Sequence, residues 1–215
     1  MGLIIGIEST AHTFSFGAVS SDGSQVLPSS SSLYRPEEGG IHPREAADHH
    51  VESAGELLRT AMMKWGADKG DIEAVAFSQG PGLGPCLRVG GSVARSMSMA
   101  LDIPLIGVNH CVAHIEIGRR MTGCVDPILL YVSGGNTQVI ARASGRYRVL
   151  GETLDIGIGN MLDKFGRSIG IPFPGGPEIE RKASNFIQEN GSEHLLDLPY
   201  AVHGTDMAFS GILGA

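Results

Sequence analysis

The sequence predicts an α/β protein built from two lobes that begin alike. Three observations carry this expectation. Apolar strand-like runs alternate with segments of helical periodicity. A β-rich segment near the start recurs, with one gap, between Pro127 and Leu150. Glycine is abundant, 31 of 215 residues against 6% aromatics, which suits tight turns and loops better than a helical bundle. With 42% hydrophobic and 18% charged residues, the chain can bury a core and falls outside the disordered and fibrous classes.

Leu3-Ile-Ile-Gly-Ile7, Thr13 to Ser20 and Gln25-Val-Leu27 read as three strands of an antiparallel meander, with Ser21-Asp-Gly23 as a turn. After the Ser29 to Ser32 run and the Glu37-Glu-Gly-Gly40 loop, Pro43 opens a helix in which Ala47, Val51, Ala54, Leu58, Ala61 and Trp65 keep three-to-four spacing. A buried strand (Ile72 to Phe77) follows, then the loop Gly80-Pro-Gly-Leu-Gly84 and a helix to about Ala100. A short strand (Leu105 to Val108) leads into a helix from His110. From there Thr137 to Leu150 lines up with Thr13 to Leu27, each copy preceded by an apolar strand and a small-residue turn. The expected lobes are therefore 1–126 and 127–215. The second continues through helices near Ile158 to Ile169 and Pro177 to Glu189 and stops at Phe209-Ser-Gly-Ile-Leu-Gly-Ala215, so it is expected to be incomplete. Duplicated lobes of this kind resemble the actin, sugar-kinase and Hsp70 superfamily, whose members hold a nucleotide in the cleft between lobes.

The formal charge of −7 argues against nonspecific coating of nucleic acid. Arg88 with Arg95, and Arg119 with Arg120, are the local basic candidates, though they read more readily as solvated helix faces. Cys86, Cys111 and Cys124 form no CxxC pair and are odd in number, which argues against a disulfide framework or a zinc ribbon and points to a reducing cytoplasm. No basic leader precedes Leu3, and no stretch is long enough to span a bilayer.

His110-Cys-Val-Ala-His114 places two imidazoles on one helix face, where they can grip one metal ion or serve structurally. The glutamate of a zinc-peptidase HExxH motif is missing. Tyr131 is a candidate third ligand, or a packed strand aromatic. Tyr131-Val132-Ser133-Gly134-Gly135-Asn136-Thr137 can close backbone N–H groups around phosphate oxygens, or form an ordinary hairpin turn. Ile7-Glu8-Ser9-Thr10 occupies the equivalent turn of the first lobe, with Glu8 placed to orient water or substrate or to cap the turn. Asp163 and Glu180 flank Phe173-Pro-Gly-Gly-Pro177, whose glycines let a ribose or base approach the backbone; solvated helix carboxylates are the other reading. His42, His49 and His50 are candidates for a general base.

Six ordered motifs, Gly6-Ile-Glu-Ser-Thr10, Gly39-Gly-Ile-His-Pro-Arg-Glu-Ala46, Gln79-Gly-Pro-Gly-Leu-Gly84, Asn109-His-Cys-Val-Ala-His114, Val132-Ser-Gly-Gly-Asn-Thr137 and Phe173-Pro-Gly-Gly-Pro177, resemble the tRNA N(6)-adenosine threonylcarbamoyltransferase family along the whole chain. Tyr131 and Glu180 make it most similar to the archaeal and eukaryotic branch, the catalytic subunit of the KEOPS complex. The resemblance implies transfer of a threonylcarbamoyl group from its adenylate to the N(6) amine of the tRNA adenine beside the anticodon. It implies one divalent metal per subunit, Fe(II) or substituted Zn(II), on His110, His114 and Tyr131. It places ATP or threonylcarbamoyl-adenylate with its phosphates at Tyr131, Val132, Ser133, Gly134 and Gly135 and its nucleoside at Asp163, Gly176 and Glu180. The family's further Asn and metal-binding Asp would lie beyond Ala215. The implied partners are tRNA, a small KEOPS dimerisation subunit on the first lobe and the KEOPS protein kinase, which some archaeal members carry fused. The helices near Pro43 to Trp65 and Arg88 to Ala100, with Met62, Met63, Met97 and Met99, are the expected docking surface. Two rivals remain. A metallopeptidase would use the same histidines but lacks its glutamate, and a noncatalytic scaffold of the same fold would not need His110, His114 and Ser133-Gly-Gly-Asn136.

Overall fold

A computed structural model describes residues 2–36 and 40–215. The loop expected at Glu37-Glu-Gly-Gly40, and with it the first residue of the Gly39 to Ala46 motif, falls outside the described residues through Gly39. The chain divides into two compact units, Met1–His114 and Ile115–Ala215.

In the first unit, β1 (Leu3–Glu8), β2 (Thr13–Ser20) and β3 (Val26–Leu33) form an antiparallel meander. Helix α1 (Pro43–Trp65) leads to β4 (Ile72–Gly80), and α2 (Gly84–Leu101) leads to β5 (Leu105–Asn109). The crossovers put β4 and β5 parallel to β1, giving the strand order β3-β2-β1-β4-β5. Alternation along β1 and β2 buries Leu3, Ile5 and Ile7 and then Phe14 and Phe16. Ile5, Ile7, Phe14 and Phe16 pack with Val75 of β4 against Ala61 of α1 and Ala94 of α2, so both helices contribute to one core. Full burial of side chains such as the two phenylalanines contributes about 1.5–3 kcal/mol each.

Helix α1 begins with Pro43 in its first turn and ends where Gly66 takes up the left-handed conformation, its N–H reaching the carbonyls of Met62 and Met63. Two details depart from the sequence reading. The serine run at 29–32 is strand rather than connection: β3 is an edge strand, and pairing of Ser30 to Ser32 with Phe16 to Phe14 outweighs the weak β preference of serine. Val51, expected on the buried face of α1, is exposed, because the face turns toward Ala46, Ala47 and His50.

Helix α3 (His110–Thr122) starts at the end of the first unit. In the second unit β6 (Ile128–Val132), β7 (Thr137–Ala143) and β8 (Arg146–Glu152) form another antiparallel meander. The segments Ser9 to His12 and Ser133 to Asn136 each leave four residues between the ends of antiparallel strands, although the last pair is Glu8 with Ser15 in the first hairpin and Val132 with Thr137 in the second. Helices α4 (Ile158–Ser168) and α5 (Gly175–Asn190) follow, then the two-residue strands β9 (Val202–His203) and β10 (Asp206–Met207) and the single-turn α6 (Ser210–Leu213). Asp155 holds this last segment: its carboxylate accepts the hydroxyl of Ser210 and the N–H groups of Ile156, Phe209 and Ser210, bonds that keep its pKa well below the ordinary carboxylate range. Among the described residues, no strand of the second unit lies beside β6 in the way that β4 lies beside β1.

Candidate functional site

The parallel arrangement of β1, β4 and β5 brings the carboxyl ends of three strands together in the first unit. Glu8 ends β1, Ser78 lies near the end of β4, and Asn109 ends β5 immediately before His110 opens α3. Asn109 caps that helix through its side-chain oxygen, which accepts the N–H groups of Cys111 at 2.9 Å and Val112 at 3.2 Å. Glu8 Oε1 accepts Thr10 N–H at 2.7 Å and the Thr10 hydroxyl. Glu8 Oε2 accepts the Ser78 hydroxyl and lies 3.1 Å from His110 Nδ1. Burial alone would raise the Glu8 pKa, but the bonds from His110, Ser78 and Thr10 prevail and lower it to about 2. Glu8 is therefore a fixed anion that closes its own turn and reaches the histidine pair as well.

His110 Nε2 faces His114 Nε2 at 3.3 Å, with the rings edge to face. Two imidazole nitrogens, each about 2.0–2.1 Å from one tetrahedral ion, stand about 3.3–3.4 Å apart, so the pair fits a shared cation. Burial, then the neighbouring His110, push the His114 pKa down, favouring the neutral form that a metal requires. Among the described residues, no cluster of three or more His, Cys, Asp or Glu side chains converges on one point, so any further donor must be of another type or lie elsewhere. Tyr131, the tyrosine singled out from the sequence, is buried on β6 of the second unit, opposite Gln138.

The glycine-rich loop before α2 supports the first turn. Leu83 N–H donates to the Thr10 carbonyl at 2.7 Å, and a Cβ at Gly82 would fall 2.6 Å from that same oxygen. A Cβ at Gly90 of α2 would meet Ser9 Oγ at 2.0 Å. The glycines here permit close packing.

The Ser133 to Asn136 turn of the second unit is braced differently. Ser133 N–H donates to the Asn136 carbonyl at 2.8 Å, and Asn136 N–H returns to Ser133 Oγ at 3.0 Å. The start of α4 lies against this turn: Gly159 and Asn160 N–H donate to the carbonyls of Ser133 and Gly134, both at 3.1 Å, and Ile158 N–H donates to Thr137 Oγ1 at 2.9 Å. Gly134 and Gly135 stay exposed, with open space where side chains would be and no partner for their N–H groups among the described residues. The turn is held from behind and open in front. Asp163 Oδ1 accepts Gly175 N–H at 2.8 Å at the start of α5. Gly176 and the exposed Glu180 lie one turn apart on that helix.

The histidine-rich start of α1 is a structural chain. His42 is exposed and its carbonyl accepts Ala46 N–H. Ser32 Oγ pairs with His49 Nε2 at 2.8 Å, His49 Nδ1 lies 3.3 Å from His50 Nδ1, and His50 Nε2–H points to the Ala11 carbonyl at 2.9 Å. His50 is fully buried beside Phe14. Sequence reasoning gave Glu8 two separate roles and missed its link to His110, 102 positions away. It also named Asn109 only as part of a motif and missed its capping role, although an Asn directly before a helix is a cap signal. Arg119 Nη1 donates to both carboxylate oxygens of Glu116, Arg88 and Arg95 are exposed, and no helix among the described residues is long and apolar enough to cross a membrane.

A mixed sheet with its first three strands in an antiparallel meander, followed by a second three-stranded antiparallel meander, defines the duplicated α/β class of actin, the sugar kinases and Hsp70. Residues 25–215 match the model of the tRNA N6-adenosine threonylcarbamoyltransferase family, TsaD, and the chain belongs to that family. It is 56% identical over 211 residues to a probable bifunctional tRNA threonylcarbamoyladenosine biosynthesis protein of Thermoplasma volcanium, covering 98% of this chain and 38% of that protein. It is 53% identical over 219 residues to the tRNA N6-adenosine threonylcarbamoyltransferase of Methanopyrus kandleri, covering 99% of this chain and 61% of that protein. The chain thus spans roughly two to three fifths of the length of these curated relatives. A solved structure of YeaZ from Pseudomonas aeruginosa superposes at a TM-score of 0.49 with 17% identity, over 71% of this chain and 66% of that one.

Proposed function

We propose that this chain acts in threonylcarbamoyl transfer to tRNA, moving the group from its adenylate to the N(6) amine of the adenine beside the anticodon. The carbamoyl carbon exchanges its bond to a phosphate oxygen for one to nitrogen; the amine loses a proton and AMP leaves. The observation that carries this reading is the His110–His114 pair, its Nε2 atoms 3.3 Å apart, in a chain of this family. His110 and His114, with Tyr131, are proposed to hold one divalent cation, Fe(II) or Zn(II), which would polarise the carbamoyl carbonyl. The open N–H groups of Gly134 and Gly135, within Tyr131 to Gly135, are proposed to receive the adenylate phosphates, and Asp163, Gly176 and Glu180 its nucleoside.

In this reading residues 1–126 and 127–215 are the two lobes of a cytoplasmic enzyme. The small KEOPS subunit docks over α1 and α2, where Arg44, Val51 and Arg88 line a groove of 420 Å³ and Met63 and Met99 are exposed while Met62 and Met97 pack into the core. The KEOPS kinase is the further proposed partner, a reading supported by the word bifunctional in the name of the Thermoplasma relative.

Elemental analysis after anaerobic loading with Fe(II), or with Zn(II), tests the site. One ion per chain is expected, and none in the double variant His110→Ala, His114→Ala. Equal metal in the double variant would remove the assignment.

A further inference from the structure

We infer that Glu8 is a positioning residue for the histidine pair, fixing the tautomer and ring orientation of His110 so that its Nε2 lone pair is aimed at the point facing His114 Nε2. The inference deepens the cation-site reading and rests on it. Glu8 and His110 come from opposite ends of the first unit, and the sheet order β1-β4-β5 makes them neighbours at the strand ends.

Each side of the arrangement is held independently. The backbone of His110 is fixed by the Asn109 cap on α3, which leaves ring rotation and tautomer as the remaining freedom. Glu8 is placed by Thr10 on one oxygen and Ser78 on the other, so its carboxylate cannot turn away without abandoning donors. An ionised carboxylate only accepts, so at 3.1 Å the Nδ1 of His110 must carry the proton. Nε2 is then unprotonated, and it is this nitrogen that stands 3.3 Å from His114 Nε2. A neutral imidazole with the opposite tautomer would place a proton where the cation must bind. A carboxylate behind a ligating histidine also raises its basicity, and loss of such a partner weakens metal binding by about 10- to 100-fold.

The test uses the chain labelled with nitrogen-15 in its histidines, without metal, above the ordinary titration range of histidine. In the unsubstituted chain the His110 shifts are expected to report protonated Nδ1 and bare Nε2. Glu8→Gln keeps the shape but offers an amide. Thr10 and Ser78 already donate to this position, so the amide cannot keep its oxygen toward all of them and toward His110 at once. The variant is expected to shift His110 toward the Nε2–H tautomer and to bind Zn(II) about 10- to 100-fold more weakly in competition with a chromophoric chelator. Protonated Nε2 in the unsubstituted chain overturns the inference without any variant, so a Glu8→Gln chain that fails to fold does not shield it. Unchanged tautomer and affinity in a folded Glu8→Gln chain also overturn it. Should the unsubstituted chain show the expected tautomer but bind no Zn(II), the cation-site reading fails and the positioning of His110 by Glu8 stands.

Discussion

Gly134 lies within the Ser133 to Asn136 turn and Gly159 packs against it, and a side chain added at each would meet different surroundings. At Gly134 a Cβ projects into open space, whereas at Gly159 it would sit 2.6 Å from the Ser133 carbonyl oxygen. Gly159 is what lets the first turn of α4 donate to that carbonyl, so Gly159→Ala must push the helix start off the turn. A loss of about 1–3 kcal/mol is expected, as for other overpacked contacts. Gly134→Val should leave the melting temperature nearly unchanged, because nothing in the protein occupies that space. If phosphate oxygens occupy it when nucleotide binds, the same variant should weaken ATP or adenylate binding more than tenfold, about 1.4 kcal/mol or greater. Scanning calorimetry and titration calorimetry on the two variants separate the roles. Unchanged nucleotide affinity in a folded Gly134→Val chain would remove the phosphate reading of the turn.

The start of α1 is seated on the first meander through His50, and this contact makes the element sensitive to pH. Burial, the largest influence on His50, lowers its pKa from the ordinary value near 6.5, and the Ala11 carbonyl opposes this only in part. The folded state therefore resists protonation while the unfolded chain accepts it near pH 6.5. Below that value the unfolded state binds more protons, so stability is fully present above about pH 6.5 and declines as pH falls toward the folded value. Urea midpoints measured from neutral to mildly acidic pH should fall, and His50→Gln, which can still donate to Ala11, should flatten the slope. A slope unchanged by the substitution would place the acid sensitivity elsewhere. How much of these elements was legible follows from where their determinants sit. The period of α1, the proline that opens it and the alternation of β1 and β2 are local, and the sequence reading placed them closely. Two features depend on tertiary neighbours. Ser29 to Ser32 become strand because β2 offers an edge, and Val51 turns outward because the buried face of α1 rotates toward His50. The candidate turn at Ser133 to Asn136 was legible for the same local reason, whereas the bond between Glu8 and His110 spans 102 positions and depends on the order of three strands.

At the scale of the molecule, the two halves begin with the same meander but differ in what backs it. In the first unit β4, β5, α1 and α2 complete the sheet and its core, with Phe14, Phe16, Ile5 and Val75 fully buried. In the second, β6 leaves Ile128, Leu130 and Val132 at 72%, 60% and 50% exposure, one alternating apolar face of a three-stranded sheet. Three strands need a covered apolar face to be stable by themselves. If 1–126 and 127–215 are the lobes, as proposed, the first should fold by itself, since it holds the five-stranded sheet, its two helices and the whole of α3. Urea unfolding of the 1–126 fragment, followed by circular dichroism and by Trp65 fluorescence, should give one coincident cooperative transition. The 127–215 fragment is expected to unfold without cooperativity and to bind a hydrophobic dye through the β6 face. Two outcomes would redraw the division: a 1–126 fragment that melts gradually, or a 127–215 fragment with a sharp transition and no dye binding. The second would mean that α4, α5 and the segment clamped by Asp155 supply enough core by themselves, and that the apolar face of β6 is a tolerated surface rather than half of an interface.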